Sequence, residues 1–132
     1  MGDLTEHFSR KEFKCNCGCG MANIGLGFVK MLEAARRLYG QSISITSGCR
    51  CESYNTSVGG KKHSGHLATE TKPSCAADIA CPTSTDRYNL LMAILTVGFS
   101  RVGIGENFVH VDTEINNPQD VCWMYPAENG KW

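Results

Sequence analysis

Three short stretches carry side chains able to do chemistry together: Ser64-Gly65-His66-Leu67, Ala77-Asp78-Ile79, and Phe108-Val109-His110-Val111-Asp112. His110 lies between two valines and Asp78 between an alanine and an isoleucine. An imidazole or a carboxylate in such apolar company is costly to bury unless its polar atoms find partners. One divalent cation would satisfy all three groups. Two imidazoles and a carboxylate, with a fourth position open to water, are the donor set of a catalytic zinc site. Zinc so held lowers the pKa of a bound water to about 7. The plainer alternative is a buried His–Asp pair with no metal, and spacing alone does not separate the two.

Hydrolysis at such a centre needs a group to take a proton from water and return it to the leaving amine. Two carboxylates lie near His110 in sequence. Glu106 precedes it, and Asp112 follows by two residues, on the same face of a strand. Asp112 has a rival role, orienting His110 by a hydrogen bond. Arg50 follows a strand end and could clamp a substrate carboxylate through two parallel bonds. Its alternative is an ordinary surface ion pair, which would contribute little. Ser64 and Tyr54 are hydrogen-bond donors toward substrate or oxyanion, though Tyr54 could equally be packing. His63 stands beside Lys61 and Lys62 and reads as part of a solvated face, and His7 as surface or N-terminal packing. Trp123 and Tyr125 fit either the core or a cleft wall.

The elements that must position these groups follow from periodicity. Ser9 and Glu12 have capping-box spacing and start a short helix or turn. Leu26 to Tyr39 is a helix whose stripe is Phe28, Met31, Leu32, Ala35, Leu38 and Tyr39, closed by Gly40. Gln41 to Thr46 alternates as a strand, Glu52 to Val58 is a short helix stopped by Gly59-Gly60, and a loop over 61–74 carries His66. Cys75 to Ala80 is a short buried strand carrying Asp78. Ser84 to Val97 is a second helix, with Tyr88, Leu91, Met92 and Leu95 as its stripe. Strands over 101–105, 108–114 and 121–125 finish the chain, joined by short connections that favour antiparallel neighbours. The pattern implies an α+β domain, a small antiparallel sheet flanked by helices, spanning 1–132 as one unit.

Composition removes several function classes. Thirteen basic residues balance thirteen acidic ones, so the chain has no long-range field for nucleic acid and no polybasic membrane patch. The polar N-terminus lacks the apolar run of a secretory leader, and 90–97 is too short to span a bilayer. Eight cysteines are many for 132 residues. Cys15, Cys17, Cys19, Cys49 and Cys51 could form a second, structural zinc site, or disulfides could tie the N-terminal loop to the segment beside Arg50. Cys75 and Cys81 could bridge across Asp78, and Cys122 reads as buried and free. No cysteine has a base beside it, which argues against a thiol nucleophile.

Taken in order, Ser64-Gly65-His66, Ala76-Ala77-Asp78-Ile79 and Phe108-Val109-His110-Val111-Asp112 resemble the zinc D-alanyl-D-alanine carboxypeptidases, a family that includes phage endolysins. Leu4-Thr5-Glu6-His7-Phe8-Ser9, Ser47-Gly48-Cys49-Arg50-Cys51, Val58-Gly59-Gly60 and Arg101-Val102-Gly103-Ile104-Gly105 extend the resemblance to nearly the whole chain, in the short single-domain branch. The resemblance implies the fold shared with hedgehog signalling domains, with His66, Asp78 and His110 as zinc ligands and Arg50 as substrate anchor. It implies a monomer acting on peptidoglycan stem peptides that contain D-amino acids, as carboxypeptidase or endopeptidase. It also implies action at the cell wall, in the manner of a phage or prophage lysis enzyme released by a holin. Two features depart from the family pattern. Leu67 to Ala77 is a longer gap between the first two ligands, with 69–75 as an insertion expected to border the cleft. Asn107 stands three residues before His110, where many of these enzymes carry the acidic base. The alternative function is therefore a binding module that keeps zinc and holds a cell-wall peptide or protein without cutting it.

Overall fold

The computed structural model describes residues 2–126; the remainder of the 1–132 span expected as one unit lies outside the described residues. A 3₁₀ turn, Arg10–Phe13, precedes α1 (Leu26–Tyr39), β1 (Ile45–Ser47), α2 (Glu52–Ser57), β2 (Ala76–Ala80), α3 (Ser84–Thr96), β3 (Arg101–Ile104), β4 (Phe108–Asp112) and β5 (Val121–Met124). The α+β class and the sequence of elements are as expected. Among the described residues no helix is long and apolar enough to cross a membrane.

Local signals set the helix ends. Glu12 accepts the Ser9 N–H at 2.6 Å, as capping-box spacing requires. Gly40 closes α1 in the left-handed conformation, φ 74°, with its N–H on Arg36 O. The Thr83 hydroxyl accepts the Asp86 N–H at the start of α3. The buried faces differ from the expected stripes. On α1, Val29 and Glu33 join Phe28, Leu32 and Ala35, while Leu38 is exposed. On α3, Leu90, Ala93 and Ile94 are buried, and Tyr88, Met92 and Leu95 face outward. Residues 90–95 are all apolar, so periodicity could not choose a face; packing against α1 does.

The five strands form one sheet in the order β1-β2-β4-β3-β5. Neighbours are antiparallel except β3 and β5, which run parallel. The expectation of antiparallel neighbours throughout is corrected there. The Arg101 guanidinium holds the β4–β5 connection at Pro118 O, 2.5 Å, and the Val121 N–H bonds Ser100 O. The chain thus passes beyond β3 before it pairs. β1 is shorter than expected, and its pairing with β2 shifts register between Ile45 and Ser47.

The period of two gives the sheet two unlike faces. Ala77, Ile79, Val102, Val109 and Val111 join one core with Phe28, Leu32, Leu90, Ile94 and Phe99. The intervening residues lie on the opposite face. Register puts Asp78 beside His110, His110 beside Gly103, and Gly103 beside Trp123. The next row is Ala76, Asp112, Arg101 and Val121.

No disulfide forms among the described cysteines. Cys49 is buried with its Sγ 3.3 Å from Ser74 Oγ, apart from the other thiols of its expected set. Cys75 and Cys81 flank β2 at opposite ends and do not bridge. Cys122 is exposed, not buried, because it lies on β5 at the sheet's edge.

His7 lies at the surface, as expected, and is anchored there by an ion pair. Its backbone N–H and Nδ1 both meet the buried Glu33 carboxylate, at 2.8 and 2.6 Å. Burial alone would raise the Glu33 pKa, but the bonds from His7 outweigh it and hold the carboxyl near about 2 against an ordinary 4.5. A depressed carboxylate stabilises the fold fully above its unfolded pKa and loses that contribution as pH falls toward the folded value. Glu33→Gln should cost about 1–3 kcal/mol at pH 7. In urea unfolding, the gap between wild type and variant should shrink from pH 4.5 toward 2. A gap that stays constant over that range would contradict the assignment.

Candidate metal centre and its cleft

His66, Asp78 and His110 come together on the floor of a cleft of about 780 Å³. Asp78 and His110 are neighbours across β2 and β4. His66 arrives from the loop after α2. Gly65 eases its approach, since a Cβ there would lie a tight 3.1 Å from both Ala76 Cβ and Asp112 Cβ. The Ser64 hydroxyl accepts the His66 N–H at 3.1 Å, so Ser64 shapes this loop while also lining the cleft.

The outer nitrogens of both rings are held by acceptors. His66 Nδ1 lies 2.7 Å from Gly48 O, and His110 Nε2 lies 2.6 Å from Asp112 Oδ2. Each outer nitrogen therefore carries the proton of a neutral ring, and the inner nitrogen presents a lone pair. The inner atoms converge: His66 Nε2 to His110 Nδ1 is 3.2 Å, His66 Nε2 to Asp78 Oδ1 is 3.3 Å, and His110 Nδ1 to Asp78 Oδ1 is 2.9 Å. Three acceptors facing one another repel unless a cation sits among them. Ligands about 2.0–2.1 Å from a tetrahedral zinc stand about 3.3 Å apart. The donor set and its spacing thus fit zinc.

The electrostatics agree. Burial alone would raise Asp78, yet its contacts with His110 and His66 hold it well below the usual carboxylate range. Burial would lower His110, but Asp112 and Asp78 outweigh it and raise its pKa. A proton and a metal ion thus compete for His110 Nδ1, so metal affinity falls with pH.

Asp112 is fully engaged. Oδ2 accepts from His110, and Oδ1 accepts from Arg101 Nε at 2.7 Å and from the Glu114 N–H at 3.0 Å. Its geometry is that of an orienting partner for His110. Arg101, which sequence reasoning did not single out, fixes Asp112 and lies 5.0 Å from the Trp123 ring centroid. Its signal was its alternation with Val102 on the strand. The Gly48 carbonyl left no sequence signal, since any residue supplies one.

Trp123 and Tyr125 form a cleft wall beside His110, at ring separations of 5.5 and 6.4 Å. Gly103 makes this possible, because a Cβ there would lie 2.6 Å from Trp123 Nε1 and from Tyr125 Cε2. Burial, followed by the charges of Asp78 and Asp112, pushes the Tyr125 phenol up, which keeps it protonated as a donor. Arg50 also lines the cleft, with Nη2 3.8 Å from Asp78 Oδ2. Its Nε is buried with no hydrogen-bond partner among the described residues.

Other candidates lie elsewhere. Tyr54 and Glu106 are not among the residues lining the cleft; Glu106 is exposed, and its carbonyl accepts from Arg87. Lys61, Lys62 and His63 are exposed on the rim. The insertion at 69–75 does not border the cleft. Asn23 Nδ2 bonds Thr69 O, Ser74 N–H bonds Asn23 O, and Gly25 N–H bonds Ser74 O, so the segment is tied to the stretch preceding α1.

Asp112→Asn should weaken zinc binding about 10- to 100-fold, because it removes the acceptor that fixes the His110 tautomer. Competition with a chromophoric chelator measures this, with Glu106→Gln as the unaffected control. Equal affinities for wild type and Asp112→Asn would refute the orienting role.

A family model described as Peptidase M15 matches residues 6–112. A search of curated proteins finds no match to the chain. The matched span runs from the N-terminal segment to the end of β4 and takes in Arg50, His66, Asp78, His110 and Asp112. Since that span is most of the sequence and contains the whole convergent donor set, the chain belongs to the Peptidase M15 family of metallopeptidases.

Proposed function

We propose that the protein is a zinc peptidase that hydrolyses a bond next to a D-amino acid in peptidoglycan stem peptides, as carboxypeptidase or endopeptidase. The observation that carries this reading is the convergence of His66 Nε2, Asp78 Oδ1 and His110 Nδ1 on the cleft floor. Zinc held by those atoms would supply a Lewis acid for the scissile carbonyl and a water of lowered pKa. The chain's own groups do the rest. Arg50, which lines the cleft beside Asp78, binds a substrate carboxylate through its guanidinium. The Tyr125 phenol donates a hydrogen bond, and Trp123 with Tyr125 packs the peptide and limits water. Lys61 and Lys62 draw the anionic stem peptide to the rim. The proposed partner is thus a cell-wall peptide taken by a monomer, with no role for nucleic acid or membrane.

A second reading draws on the carboxylates. The only two lining the cleft among the described residues are Asp78 and Asp112. One belongs to the donor set and the other is bound to His110 and Arg101. Asn107 cannot serve as base, and Glu106 is outside the lining. That economy favours a module that holds a stem peptide without cutting it.

Purified peptidoglycan distinguishes the two. Hydrolysis should release free amine, stop with a chelator and return with zinc. Arg50→Ala should lower kcat/KM about 10- to 100-fold. Loss of activity in Glu106→Gln, with zinc affinity kept, would assign the proton transfer to Glu106. Peptide binding without amine release at any zinc level would reject the peptidase reading in favour of the binding module.

A further inference from the structure

Four thiols outside the cleft have no part in that chemistry. Cys15, Cys17 and Cys19 alternate along a loop whose glycines, Gly18 and Gly20, adopt φ 86° and 88°. These left-handed turns curl the loop on itself, and the Cys15 N–H closes it on Met21 O at 2.7 Å. All three sulfurs therefore face one point. Cys51, which caps the start of α2, brings a fourth sulfur to it.

The four Sγ atoms lie within 4.8 Å of one another. Cys15 to Cys17 is 3.4 Å and Cys17 to Cys51 is 3.7 Å. Sulfurs about 2.3 Å from a tetrahedral zinc stand about 3.8 Å apart, whereas a disulfide brings two sulfurs to about 2.05 Å. Backbone N–H groups point at the cluster: Met21 at Cys19, Cys51 at Cys15 and Tyr54 at Cys51, each at 3.4 or 3.5 Å. Such donors stabilise thiolates rather than thiols. A set of four sulfurs without oxygen or nitrogen selects a soft tetrahedral ion, zinc or iron.

We propose that Cys15, Cys17, Cys19 and Cys51 bind a structural zinc ion that staples the N-terminal loop to the segment carrying Arg50. Cys49, two residues before Cys51, is turned to Ser74 and is not a ligand. The position of the staple gives it a purpose. Cys51 follows Arg50 directly, and Arg50 forms a parallel bridge with Leu67, its N–H on His66 O and its carbonyl taking the Ala68 N–H. Fixing Cys51 fixes the backbone that holds both the cleft arginine and the loop of His66. Cys17 and Cys19 are exposed, so without the ion little apolar packing would hold this loop in place.

The site is tested apart from the peptidase reading, since metal content and absorption need no substrate. The full chain is produced with zinc under reducing conditions. Wild type should hold about two zinc ions per chain and a His66→Ala, His110→Ala variant about one. Adding Cys17→Ser and Cys19→Ser to that background should remove the remaining zinc. Should that variant fail to fold, cobalt(II) in the wild type still decides, because only the cysteine site can give sulfur-to-cobalt charge-transfer absorption. Amide exchange at Arg50 and Ala68 should speed up at least about tenfold in Cys17→Ser, Cys19→Ser alone. Absence of zinc from the His66→Ala, His110→Ala variant together with no charge-transfer band overturns the site. Iron in place of zinc, or a disulfide among the four in zinc-loaded protein, overturns the zinc assignment. Unchanged exchange overturns the staple.

Discussion

Three electron pairs pointed at one spot define this molecule. His66 Nε2, His110 Nδ1 and Asp78 Oδ1 face one another at 2.9 to 3.3 Å, with little water to screen them. In such surroundings electrostatic interactions exceed their strength in solvent, so the arrangement calls for positive charge among the three atoms, a metal ion or a proton on His110 Nδ1. What holds it is the layer outside: the Gly48 carbonyl and the Asp112 carboxylate each take an outer ring proton and leave the inner nitrogen bare. Arg101 in turn fixes Asp112. Each ligand is thus aimed by a group that never touches the metal position.

The same strands that aim the ligands also build the core. Along Phe108–Asp112, Val109 and Val111 face the helices while His110 and Asp112 face the cleft. A slip of one residue in the β2–β4 pairing would send the valines to the cleft and the imidazole into the core. Burial of the apolar face therefore enforces the register that sets Asp78 against His110. Gly103 and Gly65 complete the arrangement by absence. One lets Trp123 and Tyr125 lie across the sheet, and the other lets the His66 loop descend onto it.

How much of this could be read in the residues alone depends on whether the determinant is local. His66, Asp78 and His110 were legible because polar atoms in apolar runs demand an explanation. The bounds of α1 were legible because a stripe and a terminal glycine coincide there. The stripe of α3 was misread, since its apolar residues nearly encircle it and only α1 selects the buried side. The parallel β3–β5 pair was missed because short connections point to pairing between consecutive strands, whereas β5 passes over β4 and pairs with β3. The cysteine cluster was read with one member too many. Cys49 and Cys51 look alike in a Cys-Arg-Cys run, and nothing local separates them; only the folded chain, which buries Cys49 against Ser74, leaves Cys51 alone with the set.

The charges of the cleft bear on the proposed choice of an anionic peptide. Its two carboxylates, Asp78 and Asp112, are matched by two guanidiniums, Arg50 and Arg101. The protein's own floor is therefore near electrical balance, and a divalent ion seated there would contribute its charge almost uncompensated. Lys61 and Lys62 on the rim add to that field in the same sense. A neutral peptide would gain little from it, whereas a peptide ending in a carboxylate would be drawn along the whole cleft. Arg50 stands 3.8 Å from Asp78, so a carboxylate of the proposed substrate would compete with Asp78 for its guanidinium. Selectivity of this kind would rest on the looser of the two pairs, since Arg50 meets Asp78 at 3.8 Å while Arg101 meets Asp112 at 2.7 Å.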